Sequence, residues 1–125
     1  LSLGAASAAD LTVEVLGARS AQGHVAGALF SSADGWLKPA QAVQGQFVPA
    51  TGKAVLLFRG LPPGRYALSV YHDENSNARL DSNVVGIPTE SYGFSRNAQG
   101  RMGPPPFDDA ALDLQSDATV QIQLR

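Results

Sequence analysis

The clearest signal along the chain is a period of two. Leu11, Val13 and Val15 alternate with Thr12 and Glu14. Tyr66, Leu68 and Val70 alternate with Arg65, Ala67 and Ser69, and Val120, Ile122 and Leu124 alternate with Gln121, Gln123 and Arg125. Successive side chains of a strand point to opposite faces, so each run predicts a strand with one dry and one wet face. Residues 54–58 are apolar on both parities, which predicts a central strand covered from both sides. Residues 24–31, 110–114 and 118–124 read as further strands, the last two as a hairpin turning at Ser116-Asp117. Residues 40–48, with Val43 and Phe47 apolar, are a seventh candidate.

Turn residues punctuate these runs. Ala21-Gln22-Gly23, Thr51-Gly52 and Leu61-Pro62-Pro63-Gly64 each precede a strand, the last as a tight connection. No window carries a capped helical period; the nearest, residues 32–44, is interrupted by Gly35 and Pro39. Six or seven short strands without helix predict an all-β fold, an antiparallel β-sandwich of the immunoglobulin or prealbumin kind. One long irregular loop, residues 73–107, stands out, and loops of that length are usually functional or tied down.

Composition sharpens this picture. With 125 residues, 44% hydrophobic and 16% charged, the chain is sized for one domain with a real core. Residues 10–125 form that domain and residues 1–9 a leader. A net charge of -2 with scattered basic residues offers no phosphate-tracking surface, so nucleic acid is not an expected partner. The absence of cysteine excludes disulfides and thiolate chemistry. Ala6-Ser7-Ala8 has the small-x-small spacing of a signal-peptide cleavage site, which predicts an exported, periplasmic or secreted protein. No apolar stretch is long enough for a transmembrane helix.

The candidate chemistry lies in the long loop. Counting from Asp73, oxygen-bearing side chains fall at positions 1, 3, 5 and 9, as Asp73, Asn75, Asn77 and Asp81. This is calcium-loop spacing, with the Arg79 carbonyl as a fifth ligand. Ala78 stands at position 6, where glycine normally makes the turn, and Val84 at position 12 in place of the closing glutamate; Glu90 is the candidate to fold back and complete the set. The alternative is a metal-free Asx turn, in which the same side chains satisfy backbone N–H groups. Both readings stay open, and calcium binding, if present, is expected to be weak.

Tyr92 and Phe94, flanking Gly93, are candidate ligand-binding aromatics together with His72; the alternative is that such rings plug an open end of the sandwich. Residues 101–107, rich in proline, read as a stiff return segment. A small hydrolase or lyase using His72 with Asp73 or Glu90 is a further reading, but no nucleophile motif accompanies it.

Several of these blocks fall together. Gly60-Leu61-Pro62-Pro63-Gly64-Arg65-Tyr66-Ala67, the run Tyr71 through Asp81, Gly86-Ile87-Pro88-Thr89-Glu90-Ser91-Tyr92-Gly93-Phe94-Ser95, and Pro105-Pro106-Phe107-Asp108-Asp109-Ala110 resemble the exported bacterial family known as domain of unknown function 2141. The likeness extends from Asp10 to Arg125 and implies export and a β-sandwich, with no assigned activity. The Leu-Pro-Pro-Gly-x-Tyr segment is also similar to one in prealbumin-like modules, including carboxypeptidase regulatory domains, which act as accessory or binding modules. The expected function is therefore an exported binding or accessory module for an unknown small ligand or envelope partner. A purely structural envelope protein is the other non-enzymatic alternative.

Overall fold

The computed structural model describes residues 8–77, 90–101 and 103–125. The described residues form eight strands: β1 (Ala9–Leu16), β2 (His24–Phe30), β3 (Gln44–Pro49), β4 (Ala54–Leu61), β5 (Gly64–Asp73), β6 (Tyr92–Phe94), β7 (Leu112–Leu114) and β8 (Ala118–Gln123). One helical turn, α1 (Phe107–Ala110), and two 3-10 turns, Pro39–Gln41 and Ser95–Asn97, complete the described residues. The expected all-β sandwich is therefore the fold. A three-stranded sheet in the order β4-β1-β8 faces a sheet in the order β3-β2-β5-β6, with β7 also on β5. All pairings are antiparallel except β1 with β8, which run parallel.

The alternation read from the sequence sets the layers. Leu11, Val13 and Val15 of β1, Leu56 and Phe58 of β4, and Ile122 of β8 meet Val25 and Leu29 of β2 and Tyr66, Leu68 and Val70 of β5 in one buried core. The Leu61–Gly64 connection carries the chain from one sheet to the other. It is fixed by the Tyr66 hydroxyl, which donates to the Pro62 carbonyl four residues back, the bonding pattern of a tyrosine corner. Burial pushes the Tyr66 phenol above its ordinary pKa, so it keeps this donor proton.

Three expectations need correction. β4 is an edge strand, not a central one. Its second apolar row is not covered by another layer: Val55 is exposed and Leu57 only half-buried. The edge is instead closed by side chains of β3. Gln46 lies alongside Leu57, its amide nitrogen donating to the Leu57 carbonyl and its amide oxygen accepting the Leu57 N–H at 2.9 Å, while Gln44 donates to the Arg59 carbonyl at 2.8 Å.

Secondly, Ser116-Asp117 does not turn a hairpin. β7 stays on β5, and β8 crosses to the other sheet to lie beside β1. Asp117 Oδ1 accepts the Asp10 N–H at 2.8 Å and so ties the start of β8 to the start of β1. Thirdly, the strand expected over residues 110–114 is only β7 (Leu112–Leu114), because Ala110 closes the helical turn α1. The seventh candidate strand exists as β3, shifted toward Pro49 behind the Pro39–Gln41 turn, and β6 is an eighth.

The amide of Gln46 serves the β4 edge as a strand would. Replacing it by alanine leaves the N–H and C=O of Leu57 without these partners. Gln46→Ala is expected to lower unfolding stability by about 1–2 kcal/mol, seen as a lower urea midpoint at unchanged slope. An unchanged midpoint would show that the bonds contribute nothing.

Candidate functional site

The outer face of the larger sheet divides into a covered half and an open half. In β2 the outward parity is His24, Ala26, Ala28 and Phe30; in β5 it is Ala67, Ser69, Tyr71 and Asp73. The half at Phe30 and Ala67 is covered by Trp36, Phe94, Phe107, Ala110 and Ala111, which form a second apolar cluster. Trp36 is its hub, with ring centroids 5.4 Å from Phe30, 5.9 Å from Phe94 and 6.0 Å from Phe107. Its indole N–H donates to the Pro105 carbonyl at 2.8 Å, so the proline-rich return segment is held by the tryptophan. Ser95 stitches the cluster to the sheet: its hydroxyl accepts the Leu68 N–H at 2.8 Å and donates to the Ala110 carbonyl at 2.6 Å, all buried.

The other half is open. Strand register places Phe47, Ala26, Tyr71 and Tyr92 in one cross-strand row. The next row is Gly45, Ala28, Ser69 and Phe94. Small residues thus form a floor between Phe47 on one flank and Tyr71 on the other, and Leu37, Pro39 and Ala42 close the end toward the covered half. The result is a groove of about 340 Å³, without a charged side chain in its lining. Phe47 is 59% exposed, the most exposed large apolar side chain among the described residues.

A second hollow of about 330 Å³ lies beyond β6, between Tyr92, Asn97 and Arg125. Some of the polar groups at its wall are engaged within the chain. Asn97 Oδ1 accepts the Gln123 N–H, and Tyr92 and Arg125 exchange backbone hydrogen bonds. Of these two hollows, the groove has the more apolar lining.

The residues singled out from the sequence fall in two places. His72 is fully buried on the inward face of β5, where Nε2 bonds to the Gln22 carbonyl at 2.8 Å. A carbonyl only accepts, so Nε2 carries the proton, and Nδ1 has no hydrogen-bond partner among the described residues. Asp73, the next residue, points to the opposite face, as strand geometry requires. Its Oδ1 accepts the Asn77 N–H at 3.1 Å, and the Asn75 Oδ1 accepts the same N–H at 3.2 Å. Glu90 reaches back to this turn and accepts the Glu74 N–H at 2.9 Å. The Glu74 carboxylate is held in turn by Arg19 at 2.8 Å and Ser20 at 3.1 Å.

The side chains of Asp73, Asn75 and Glu90 therefore accept main-chain N–H groups of one turn, Asp73 and Asn75 sharing that of Asn77, in the bonding pattern of an Asx turn. Arg79 and Asp81 lie outside the described residues, as do Ala78 and Val84. Among the described residues no three His, Cys, Asp or Glu side chains are grouped as metal ligands. No described helix is long and apolar enough to cross a membrane.

The two aromatics meet edge to face, with ring centroids 5.8 Å apart, but differ in exposure. Phe94 is 7% exposed within the second cluster on the outer face of the sheet, whereas Tyr92 is 36% exposed at the wall of the second hollow. Gly93 between them is dictated by close approach. A Cβ there would lie 2.8 Å from the Gln123 carbonyl oxygen and from Ile122 Cγ2 of β8, so β6 can close the sandwich only without a side chain at that position.

Residues 13–123 match the family described as DUF2141, uncharacterized protein conserved in bacteria. The chain belongs to that family. No curated protein and no solved structure is significantly similar to it. The blocks by which the chain resembles DUF2141 can now be assigned physical roles. Pro62 and Tyr66 make the corner between the sheets, and Phe94, Ser95, Phe107 and Ala110 build the second cluster. In this DUF2141 chain the groove residues Ala26, Gly45 and Phe47 lie outside those blocks, and only the pairing of β3 with β2 brings them to Tyr71. Sequence reasoning therefore missed them; the available signal was a strand glycine two residues before an aromatic.

Proposed function

We propose that this DUF2141 chain is an exported binding module whose ligand site is the open groove on the larger sheet. The carrying observation is Gly45. A glycine inside a strand weakens it, and internal packing commonly explains such a choice. Gly27 illustrates this, since a Cβ there would lie 2.4 Å from Leu56 Cδ1. At Gly45 the same Cβ would meet only the Gly27 carbonyl oxygen, at 3.8 Å, an ordinary contact. Nothing within the described fold requires the small residue, yet a larger one would fill the floor beside Phe47. Its volume is at the lower end of the range of small-ligand pockets, and Phe47 supplies apolar surface that the fold leaves in water.

Export is supported by the small-x-small triplet Ala6-Ser7-Ala8 immediately before β1. Ala9 is already buried against the core and paired with Leu61, so cleavage ahead of it leaves β1 whole. A weak calcium site at the Asp73 turn is a subordinate part of the proposal. It is supported by the spacing of oxygen side chains and by Asp73 and Glu90, two buried carboxylates that serve the main chain of one turn. The hydrolase reading draws no support from the site, because His72 is enclosed and Asp73 faces away from it.

Backbone-amide NMR tests the groove. A chemically mixed panel of small fragments should shift the amides of Ala26, Ala28, Gly45 and Ser69, and Gly45→Leu should abolish those shifts while leaving the melting temperature unchanged or slightly raised. Shifts elsewhere only, or shifts that persist in Gly45→Leu, would remove the groove as a site. For export, N-terminal sequencing of the natural mature protein is expected to begin at Ala9 or Asp10; an uncleaved leader contradicts it. For calcium, a Kd of about 0.1–1 mM implies a gain of about 0.4–1.4 kcal/mol at millimolar calcium. The rise in melting temperature should disappear with chelator and in the Asp73→Ala, Asp81→Ala double variant. A rise of equal size in the variant, or none in either protein, leaves the metal-free Asx turn.

A further inference from the structure

We infer that the groove takes a single neutral aromatic ring, inserted edge-on between Phe47 and Tyr71; this rests on the groove being the ligand site. The argument begins with register. Phe47 and Tyr71 both pair with Ala26, on β3 and β5 respectively, so they stand two strand spacings apart with only a methyl group between them. At about 4.8 Å per spacing their backbones lie about 9.6 Å apart, which is the gap between the rings when both side chains stand upright from the sheet. A ring sandwiched between two others needs about 7–8 Å, twice the 3.5–4.0 Å optimum between carbon atoms. Two stacked guest rings would need about 10.5–12 Å. The slot is therefore one ring wide, with slack that small side-chain rotations take up.

The floor and ends fix the chemistry further. Along the slot the floor continues through Ala28, flanked by Gly45 and Ser69, and it ends against Phe30 and Leu37. No lining side chain carries a charge, so a charged guest would lose hydration without a partner. A sugar ring has hydroxyls on every edge and would need several donors and acceptors. The slot floor offers the Ser69 hydroxyl, while the neighbouring Gln46 amide is already bonded to Leu57. Aromatic flanks with few polar groups favour an aromatic guest through stacked and edge-to-face contacts.

The test is an amide-NMR titration of the whole chain with four probes: indole, 1-hexanol, methyl β-glucopyranoside and benzoate. Indole should shift the amides of Ala26, Ala28, Gly45 and Ser69 at a concentration at least tenfold below that needed by the others. Phe47→Ala, a change at an exposed side chain whose folding is verified by its melt, should weaken indole about tenfold. If hexanol, the glucoside or benzoate shifts the same amides as readily as indole, the aromatic-ring inference is overturned while the groove stands as a site. Full indole affinity in Phe47→Ala overturns the sandwich geometry. If none of the four probes shifts a groove amide and the fragment panel also fails there, the inference falls together with the groove.

Discussion

Everything in this protein hangs on β5. Its ten residues, Gly64–Asp73, pair with β2 along one edge and with β7 and then β6 along the other. Its inward side chains, Tyr66, Leu68 and Val70, reach the core between the sheets, while Ala67 faces the second cluster on the outside. A strand in that position can neither slip nor twist independently. A shift by one residue would drive Tyr66, Leu68, Val70 and His72 onto the wrong face together. The entry to β5 is fixed by the Tyr66 corner and its exit by the Asp73 turn, so the groove on its outer face inherits a rigid frame.

That frame explains why the two aromatic layers differ. Rings at Phe30, Phe94 and Phe107 have Trp36 laid over them and are withdrawn from water. Phe47 and Tyr92 stand on the same outer side and receive no such cover. The difference arises from the connections. The chain between β2 and β3 folds back over one half of the sheet, and the return through Pro105 and α1 reinforces that half. No described element repeats this over the other half.

Period-two patterning made the layers legible. Leu11, Val13 and Val15, or Tyr66, Leu68 and Val70, need only alternation to declare their facing, and the structure places them together. Pairing was less legible because it depends on partners far away in the chain. The double apolar parity of residues 54–58 suggested a central strand. Deciding between centre and edge required knowing that Gln44 and Gln46 supply the missing edge bonds, and a glutamine in a strand does not announce that use. The crossing of β8 to a parallel place beside β1 was hidden for the same reason, since the Asp10–Asp117 bond spans nearly the whole chain. At the candidate site, local spacing put Asp73 and Asn75 in one turn, whereas the approach of Glu90 to the Glu74 N–H depends on the chain's return and not on spacing. The groove could not be found that way, because Gly45, Ala26 and Tyr71 become neighbours only through register.

The parallel pairing of β1 with β8 has a mechanical consequence. Leu11 to Leu16 lie beside Ala118 to Gln123 in unbroken register. Because the strands run the same way, tension applied between the start of β1 and the end of β8 drags them past each other lengthwise. Every rung of that ladder then carries load at once, where an antiparallel hairpin pulled from its two ends would open one rung at a time. A domain built this way resists stretching along its length, with the first and last described strands serving as its clasp.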